Sequence, residues 1–117
     1  MRYIKKFEVI GSPDLIIAIK GNNLINFEKL LPFSDVNCKD GMGWTPLLWA
    51  TYVKNKKMIK ELIDAGANMN IKALHHINGT KEMVDFYDLS ISKDYEKLSK
   101  WIEENYPEFV ASKKYNL

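Results

Sequence analysis

Residue types that could carry out catalysis or bind a metal are few in this sequence and far apart. His75 and His76 are adjacent and are the only histidines, while the only cysteine, Cys38, lies in an earlier part of the chain. A zinc site needs three or four ligands at suitable spacing, which adjacent histidines rarely supply for one ion. A nucleophilic cysteine needs a base and an orienting group beside it, and the sequence indicates neither. We predict two solvated loop histidines, a semi-buried unreactive thiol, and no metal or other cofactor.

The acidic pairs and the glycine-rich segment do not indicate an active site either. Asp85 and Asp88 fall in one predicted helix, where their spacing does not give the opposed geometry of a general acid and a general base. The segment Gly41–Gly43 lacks the strand–loop–helix context of a phosphate-binding loop. We therefore predict that the protein is not an enzyme.

The composition limits the classes of partner. Seventeen basic residues against fifteen acidic ones leave a net charge of +2, and Arg2 is the only arginine. Arginine is the side chain best suited to bidentate contacts with phosphates and base edges, so its near absence argues against nucleic-acid binding. The longest aliphatic run, Leu15–Ile19, is far shorter than the ~20 residues of a membrane span, and the N-terminus lacks the apolar stretch of a signal peptide. We expect a cytoplasmic protein that binds neither nucleic acid nor membrane.

Two kinds of segment recur at one spacing. Asp35-Val36-Asn37 returns as Asn68-Met69-Asn70, and Ser12-Pro13 returns as Thr45-Pro46, with a displacement of 33 residues in both cases. Each Ser/Thr-Pro pair precedes an apolar segment with helical spacing. A hydroxyl side chain can cap the first backbone N–H groups of a helix, and proline suits its first position. The sequence therefore predicts helices that begin at equivalent places in a repeated unit.

The second unit predicts two short helices followed by a loop. The first helix begins after Thr45, and the second covers roughly Lys57 to Asp64, where the apolar residues form one stripe. Gly66 then ends the second helix. Because one such unit buries too little apolar surface by itself, neighbouring units must stack.

Two segments of this unit resemble a known family. DGMGWTPLLWA, from Asp40 to Ala50, is similar to the D-x-x-G-x-T-P-L-H-x-A pattern of ankyrin repeats. LIDAGANMN, from Leu62 to Asn70, is similar to the family pattern L-L-x-x-G-A-D-V-N. The resemblance implies an all-α fold, an ankyrin-repeat stack of helix–turn–helix units with β-hairpin loops projecting at one edge.

We expect one domain with a typical central repeat and divergent outer repeats that act as caps. The third unit begins seven residues later than the repeat length requires, which indicates an enlarged loop. The expected boundaries are residues 1–117 for the domain, 12–37, 38–71 and 84–106 for the repeats, 73–81 for the enlarged loop and 107–117 for a C-terminal tail. The core candidates of the first unit are Ile16, Ile17, Leu24, Phe27, Leu30 and Leu31.

Three positions of the central repeat depart from the family pattern. Leu48 replaces the family histidine, Lys54-Asn55 replaces Gly-His between the helices, and Trp49 replaces a smaller aliphatic residue. Lys54 tolerates a positive φ poorly, so we expect a reorganised turn there. Trp49 is expected to fill space in the core.

Ankyrin repeats bind other proteins through the hairpin tips and the exposed side of the first helices, and the resemblance implies the same here. The corresponding partner-binding residues of this chain are Lys39, Met42, Trp44, Leu48, Tyr52, Val53, Lys72, His75, His76 and Asp88. Trp44 either projects from this strip or packs over the neighbouring hairpin. We expect the affinity to be concentrated in Met42, Trp44 and Tyr52, all outside the core, with Lys39 and His75 at the rim.

A lysine run, formed by Lys54, Lys56, Lys57 and Lys60, is expected on the outward side of the second helix of the central repeat. It predicts either a solvated face or a contact with an acidic partner. The function that we expect is non-catalytic binding of a partner protein by a chain that is monomeric when alone. Two alternatives are a small antidote or immunity-type inhibitor that blocks a cognate toxin, and an adaptor or host-directed effector.

Overall fold

The computed structural model describes residues 13–77 and 79–115. Ser12, which was expected to cap the first helix, lies outside these residues. The elements in chain order are α1 (Pro13–Lys20), α2 (Leu24–Leu30), a 3₁₀ turn (Leu31–Phe33), α3 (Pro46–Tyr52), α4 (Lys56–Asp64), β1 (Ala73–Ile77), β2 (Thr80–Val84), α5 (Phe86–Ser92), α6 (Glu96–Asn105) and α7 (Pro107–Tyr115).

Three helix pairs form the body of the fold. The helices α1 and α2, α3 and α4, and α5 and α6 contact each other in pairs, and α3 packs between α1 and α5. The first helices of the pairs therefore form a row. Side chains that are completely buried between the helices include Leu15, Ile19, Phe27, Leu48, Met58, Ile59, Leu62, Leu89 and Ile102. This shared core provides the stacking that one small pair needs in order to bury its apolar side chains.

Side-chain caps fix the starts of α3 and α5. Thr45 accepts a hydrogen bond from the backbone N–H of Leu48, and Pro46 occupies the first turn of α3, as predicted. Asp85 accepts a hydrogen bond from the backbone N–H of Asp88 at 2.8 Å, and the Asp88 carboxylate accepts one from the Asp85 N–H at 3.3 Å. This reciprocal pair is a capping box. The N-cap residue of both helices is therefore a polar side chain that accepts a hydrogen bond from the first turn.

The turns within the three pairs share one backbone geometry. Asn22, Lys54 and Asp94 have φ values of 55°, 61° and 59°, in the left-handed region that residues other than glycine seldom adopt. In the central turn, the N–H of Asn55 donates to the carbonyl of Ala50 at 3.0 Å. The expected reorganisation at Lys54 is therefore wrong. The lysine adopts an unfavourable φ because the hydrogen bond and the packed helix pair hold the turn in place.

Most of the first unit's core was predicted correctly. Ile16 and Phe27 are buried, and the leucines of α2 and the 3₁₀ turn pack against the core. Leu98 and Ile102 of the third pair are buried as well. Ile17, however, is 64% exposed, so its assignment to the core is wrong. At about 100° per residue it falls on the side of α1 opposite to the buried residues that surround it in sequence.

Residues 73–81, expected to form an enlarged loop, contribute to an antiparallel hairpin instead. Strand β1 pairs with β2 so that His75 lies opposite Glu82. Residues 34–45, which join the first and second pairs and are all described, contain no strand. Within the described residues, the fold is therefore mostly helical, as expected for an ankyrin-type fold, with a small two-stranded sheet.

Residues 107–117 were expected to form a tail, but most of this segment is the helix α7. Pro107 begins the helix, which is a position that proline favours. Phe109 and Val110 are buried, and the ring of Phe109 lies 5.5 Å from that of Phe86 at the start of α5. The helix α7 contacts α6 as well, so it covers the end of the third pair.

An ion pair fastens α7 to the cap of α5. Lys113 Nζ lies 2.6 Å from a carboxylate oxygen of Asp85 and 3.0 Å from one of Asp88. Burial would lower the pKa of Lys113, but its hydrogen bonds to the two carboxylates outweigh burial and raise the pKa above its ordinary value. The charge of the buried Asp85 is therefore compensated by a lysine from α7.

Candidate partner-binding surface

The loop before α3 is fastened to that helix by one carboxylate. Asp40 Oδ1 accepts hydrogen bonds from the backbone N–H groups of Met42 and Trp44 at 2.9 and 3.0 Å. Asp40 Oδ2 accepts a hydrogen bond from the indole Nε1–H of Trp49 at 2.8 Å. The carboxylate therefore fixes both the loop conformation and the orientation of the Trp49 ring.

These hydrogen bonds also govern the ionisation of Asp40. Burial would raise the pKa of Asp40, but hydrogen bonds from Trp44, Trp49 and Met42, together with the charge of Lys20, hold the pKa below its ordinary value of 3.8. Asp40 is thus ionised at neutral pH. Because its pKa is lower in the folded state than in the unfolded state, the interaction contributes stability above about pH 4 and loses it as the pH falls through the folded-state pKa.

Trp44 lies inside the molecule, between the loop and the hairpin. Only 3% of its surface is exposed, and its ring centroid lies 4.7 Å from that of Trp49 and 5.8 Å from that of His75. Its Nε1–H donates to the carbonyl of Leu74 in β1 at 3.0 Å. The expectation that Trp44 lies outside the core is therefore wrong, and packing over the hairpin is what the structure shows. Leu48, which is 1% exposed, is also inaccessible to a partner.

Two aromatic residues of α3 reach the surface instead. Trp49 is partly exposed and Tyr52 is 38% exposed, and their ring centroids lie 5.5 Å apart in an edge-to-face arrangement. Lys20 Nζ lies 4.7 Å from the centroid of Trp49, and Lys93 Nζ lies 4.9 Å from that of Tyr52. We call these four residues the aromatic–lysine surface. It draws on all three helix pairs, because Lys20 ends α1 and Lys93 follows α5.

Trp49 was assigned to the core, and its partial exposure follows from the phase of α3. The buried residues of this helix are Pro46, Leu47, Leu48, Ala50 and Thr51. At about 100° per residue, Trp49 falls on the side opposite to most of them. Ile17 of α1 is exposed for the same reason, so the helical phase of the buried residues could have identified both positions.

The other predicted binding residues differ in their accessibility. Lys39, Met42, Lys72 and His76 are exposed, whereas Val53, His75 and Asp88 are partly exposed. The Asp88 carboxylate is held by Lys113 and by the backbone N–H of Asp85, so a partner would have to compete with both. Met42 lies in the loop before α3, and Val53 is the C-cap residue of α3. The two residues therefore lie at opposite ends of the helix that carries Tyr52.

His75 differs from the solvated loop histidine that the sequence predicted. His75 lies in strand β1, and its ring centroid lies 5.8 Å from that of Trp44. Burial lowers the pKa of His75 below 6.5, and the positive charges of Lys93 and His76 lower it further. His75 is therefore a neutral aromatic neighbour of the surface at pH 7.

The described ranges, 13–77 and 79–115, contain no group of three or more His, Cys, Asp or Glu side chains that could hold a metal ion. None of the helices in these ranges has the length and apolar character required to cross a bilayer.

Replacing Asp40 tests how the surface is held. We expect Asp40→Ala to lower the free energy of unfolding by about 1–3 kcal/mol, because it leaves the Trp49 indole and two backbone N–H groups without their acceptor. Urea unfolding at pH 7 measures this change. Asp35→Ala is the matched control, since the carboxylate of the exposed Asp35 accepts a hydrogen bond from the nearby Asn37 N–H. Equal stabilities of the two variants would contradict the role of Asp40.

Comparison with known proteins identifies the family. A family model described as "Ankyrin repeats (3 copies)" matches residues 11–86. The chain is 40% identical over 37 residues to ankyrin repeat and SAM domain-containing protein 3 of Homo sapiens, covering 32% of this chain and 6% of that protein. It is 36% identical over 58 residues to the mitochondrial disaggregase of Homo sapiens, covering 49% of this chain and 8% of that protein. The resemblance found in the sequence is confirmed, and the chain belongs to the ankyrin-repeat family.

Proposed function

We propose that this chain is a non-catalytic module that binds a partner protein through the aromatic–lysine surface. Ankyrin repeats generally mediate protein–protein interaction, and the family is typically non-catalytic. The observation that supports this particular surface is the pair Trp49 and Tyr52, two large aromatic side chains that are partly exposed on one helix. Aromatic side chains are enriched among the residues that dominate the binding free energy of protein interfaces.

The two rings are already held in a defined orientation. Trp49 is bonded through Nε1 to Asp40, and both rings rest on the buried Trp44, with centroid distances of 4.7 Å for Trp49 and 5.9 Å for Tyr52. Binding of a partner therefore costs little conformational entropy at these two side chains. Preorganisation of this kind increases affinity by lowering the free-energy cost of association.

The rim of the proposed interface follows from exposure. Met42 and Val53 offer apolar contact, while Lys39, Lys72 and His76 are exposed polar residues of the predicted strip. Such residues are expected to alter association rate and salt dependence more than affinity. We propose in addition that the protein is cytoplasmic and that it is a monomer when free. Light scattering tests the monomeric state, for which the expected mass is near 13.6 kDa.

An antidote that blocks a toxin and an adaptor or host-directed effector are alternative uses of the same surface. They differ in what happens to the partner. An inhibitor abolishes the activity of its partner when the complex is saturated, whereas an adaptor leaves that activity in place. An activity assay of the captured partner, with and without excess chain, separates the two.

The aromatic pair provides the direct test of the proposal. We expect the double variant Trp49→Ala/Tyr52→Ala to weaken binding of a captured partner by roughly ten- to a hundredfold or more, since each 1.4 kcal/mol corresponds to about a factor of ten. Isothermal titration calorimetry measures the dissociation constant. The control is Ile25→Ala on α2, which removes an apolar side chain that is 69% exposed. A partner that binds the double variant as tightly as it binds the control would overturn the assignment.

A further inference from the structure

We infer that the aromatic–lysine surface recognises an acidic segment of its partner, in which carboxylates flank an apolar or aromatic side chain. This inference rests on the proposed function, because it assumes that Trp49 and Tyr52 make the contact. It adds the chemistry of the partner, which follows from how the lysines around the two rings are placed.

Three lysines from successive helix pairs approach aromatic rings of a neighbouring pair. Lys20 lies over Trp49 and Lys93 over Tyr52, while Lys54 Nζ lies 4.7 Å from the ring centroid of Tyr95. Each lysine belongs to the C-terminal end of a first helix or to the turn that follows it. The row of first helices therefore carries a row of ammonium groups along one edge.

These ammonium groups differ from those of the ion-paired lysines in their partners. The lysines that form ion pairs in the described part of the chain are Lys57 and Lys60 on α4 and Lys113 on α7. At the aromatic–lysine surface, the nearby Asp40 already accepts hydrogen bonds from N–H donors at both carboxylate oxygens. Lys20 and Lys93 thus contact rings and form no ion pair among the described residues, although the charge of Lys20 acts on the nearby Asp40.

A partner carboxylate offers these lysines a stronger interaction than the rings do. A lysine over an exposed aromatic ring gains a modest cation–π attraction, whereas an ammonium–carboxylate hydrogen bond is among the stronger polar contacts when an interface excludes water. The ammonium groups can turn from the rings toward the carboxylates. An apolar or aromatic side chain of the partner would then cover the ring faces that they leave.

The same comparison argues against Lys56, Lys57 and Lys60, the part of the lysine run that lies on α4, as the acidic-partner site; Lys54 lies in the turn before α4. Lys57 already lies 2.9 Å from Glu61 and 3.6 Å from Glu28, and Lys60 lies 3.0 Å from Asp64. A partner would have to break or share these ion pairs, and no aromatic anchor lies on that helix. The run is better explained as a solvated face.

Selection from a phage library of random peptides of about 12 residues, using the full-length chain as target, tests the inference. We expect enriched peptides with net negative charge and at least one apolar or aromatic residue between the acidic ones. The most enriched peptide, made synthetically, is then titrated against variants. Lys20→Glu/Lys93→Glu is expected to weaken its binding by more than tenfold and to reduce the salt dependence of binding. The neutral double variant with glutamine should give a smaller loss.

Controls separate the outcomes of this experiment. Lys56→Glu reverses an exposed lysine on α4 and is expected to change the affinity by less than about twofold. Thermal melts verify that the charge-reversal variant remains folded, and the glutamine variant gives the same test if it does not. Acidic peptides whose binding does not respond to either change at Lys20 and Lys93 would overturn the inference.

The remaining outcomes distinguish this inference from the proposed function. Neutral or basic peptides that lose affinity on Trp49→Ala/Tyr52→Ala would overturn the acidic-segment inference and leave the proposed surface intact. Peptides of any charge that bind equally well to Trp49→Ala/Tyr52→Ala would overturn the proposed surface. A selection that enriches no peptides also counts against the inference, since a linear acidic segment is what it requires.

Discussion

Removal of residues 98–117 is expected to unfold the whole chain. The deletion takes away most of α6 and all of α7, including the buried side chains Leu98, Ile102, Phe109 and Val110. At about 1.5–3 kcal/mol for each buried apolar side chain, the loss is about 6–12 kcal/mol. The total stability of a domain of this size is typically about 5–15 kcal/mol. In a stack that contacts only its neighbours, the exposed face of the third pair then destabilises the second.

Circular dichroism during heating measures this effect. The truncated chain is expected to show no cooperative transition. A shorter deletion, of residues 107–117, serves as the graded comparison because it removes α7 and the Lys113 ion pair but leaves α6 intact. This shorter form should melt cooperatively at a reduced temperature. A chain lacking residues 98–117 that still melts near the full-length temperature would show that the third pair is dispensable.

Replacement of Trp44 by alanine is expected to have the largest effect of any single substitution at the candidate site. Loss of a buried tryptophan side chain typically costs about 3–5 kcal/mol of unfolding free energy. Here it also leaves the Leu74 carbonyl without its indole donor and removes the support beneath Trp49 and Tyr52. The Trp44→Ala variant should therefore lose both stability and partner binding.

A second substitution separates packing from hydrogen bonding at this position. Trp44→Phe keeps an aromatic ring but lacks the Nε1–H, so we expect a smaller loss, about 1–2 kcal/mol in urea unfolding. Tyr52→Ala, at the exposed edge of the cluster, should cost less stability than Trp44→Ala. A Trp44→Ala protein as stable as the unaltered chain would restore the original expectation that this side chain lies outside the core.

The repeats were predictable because their signals are local. The Thr45-Pro46 start, the apolar stripe of α4 and the Gly66 stop each depend on residues a few positions apart, and the structure contains all three. The hairpin had a local signal as well. Asn78-Gly79 is typical of a two-residue hairpin turn, but the unusual length of the insertion led to its interpretation as a loop. The segment 107–117 likewise had a local signal, because proline favours the first turn of a helix and Pro107 begins α7.

The candidate site was less predictable, because its contacts are distant in sequence. Trp44 is buried, and its indole donates a hydrogen bond to the carbonyl of Leu74, thirty residues later, in a segment that was expected to be an enlarged loop. Lys20 and Lys93 each contact an aromatic ring of α3 only because the three helix pairs stack side by side. The spacing of apolar residues within one repeat gives no information about such contacts between repeats. The family pattern therefore directed attention to α3 and the loop before it, while the burial of Trp44 required the structure.

The measurement that tests the central claim most directly is an NMR titration of the ¹⁵N-labelled chain with its partner or with the most enriched peptide. The three tryptophans each give a separate indole N–H signal, which reports on Trp44, Trp49 and Trp101 individually. We predict that the Trp49 indole signal and the backbone signals of Tyr52 and Lys93 change most, while the Trp101 indole signal on α6 stays in place. Changes centred on the lysine run of α4 or on Trp101, with Trp49 unaffected, would contradict the account.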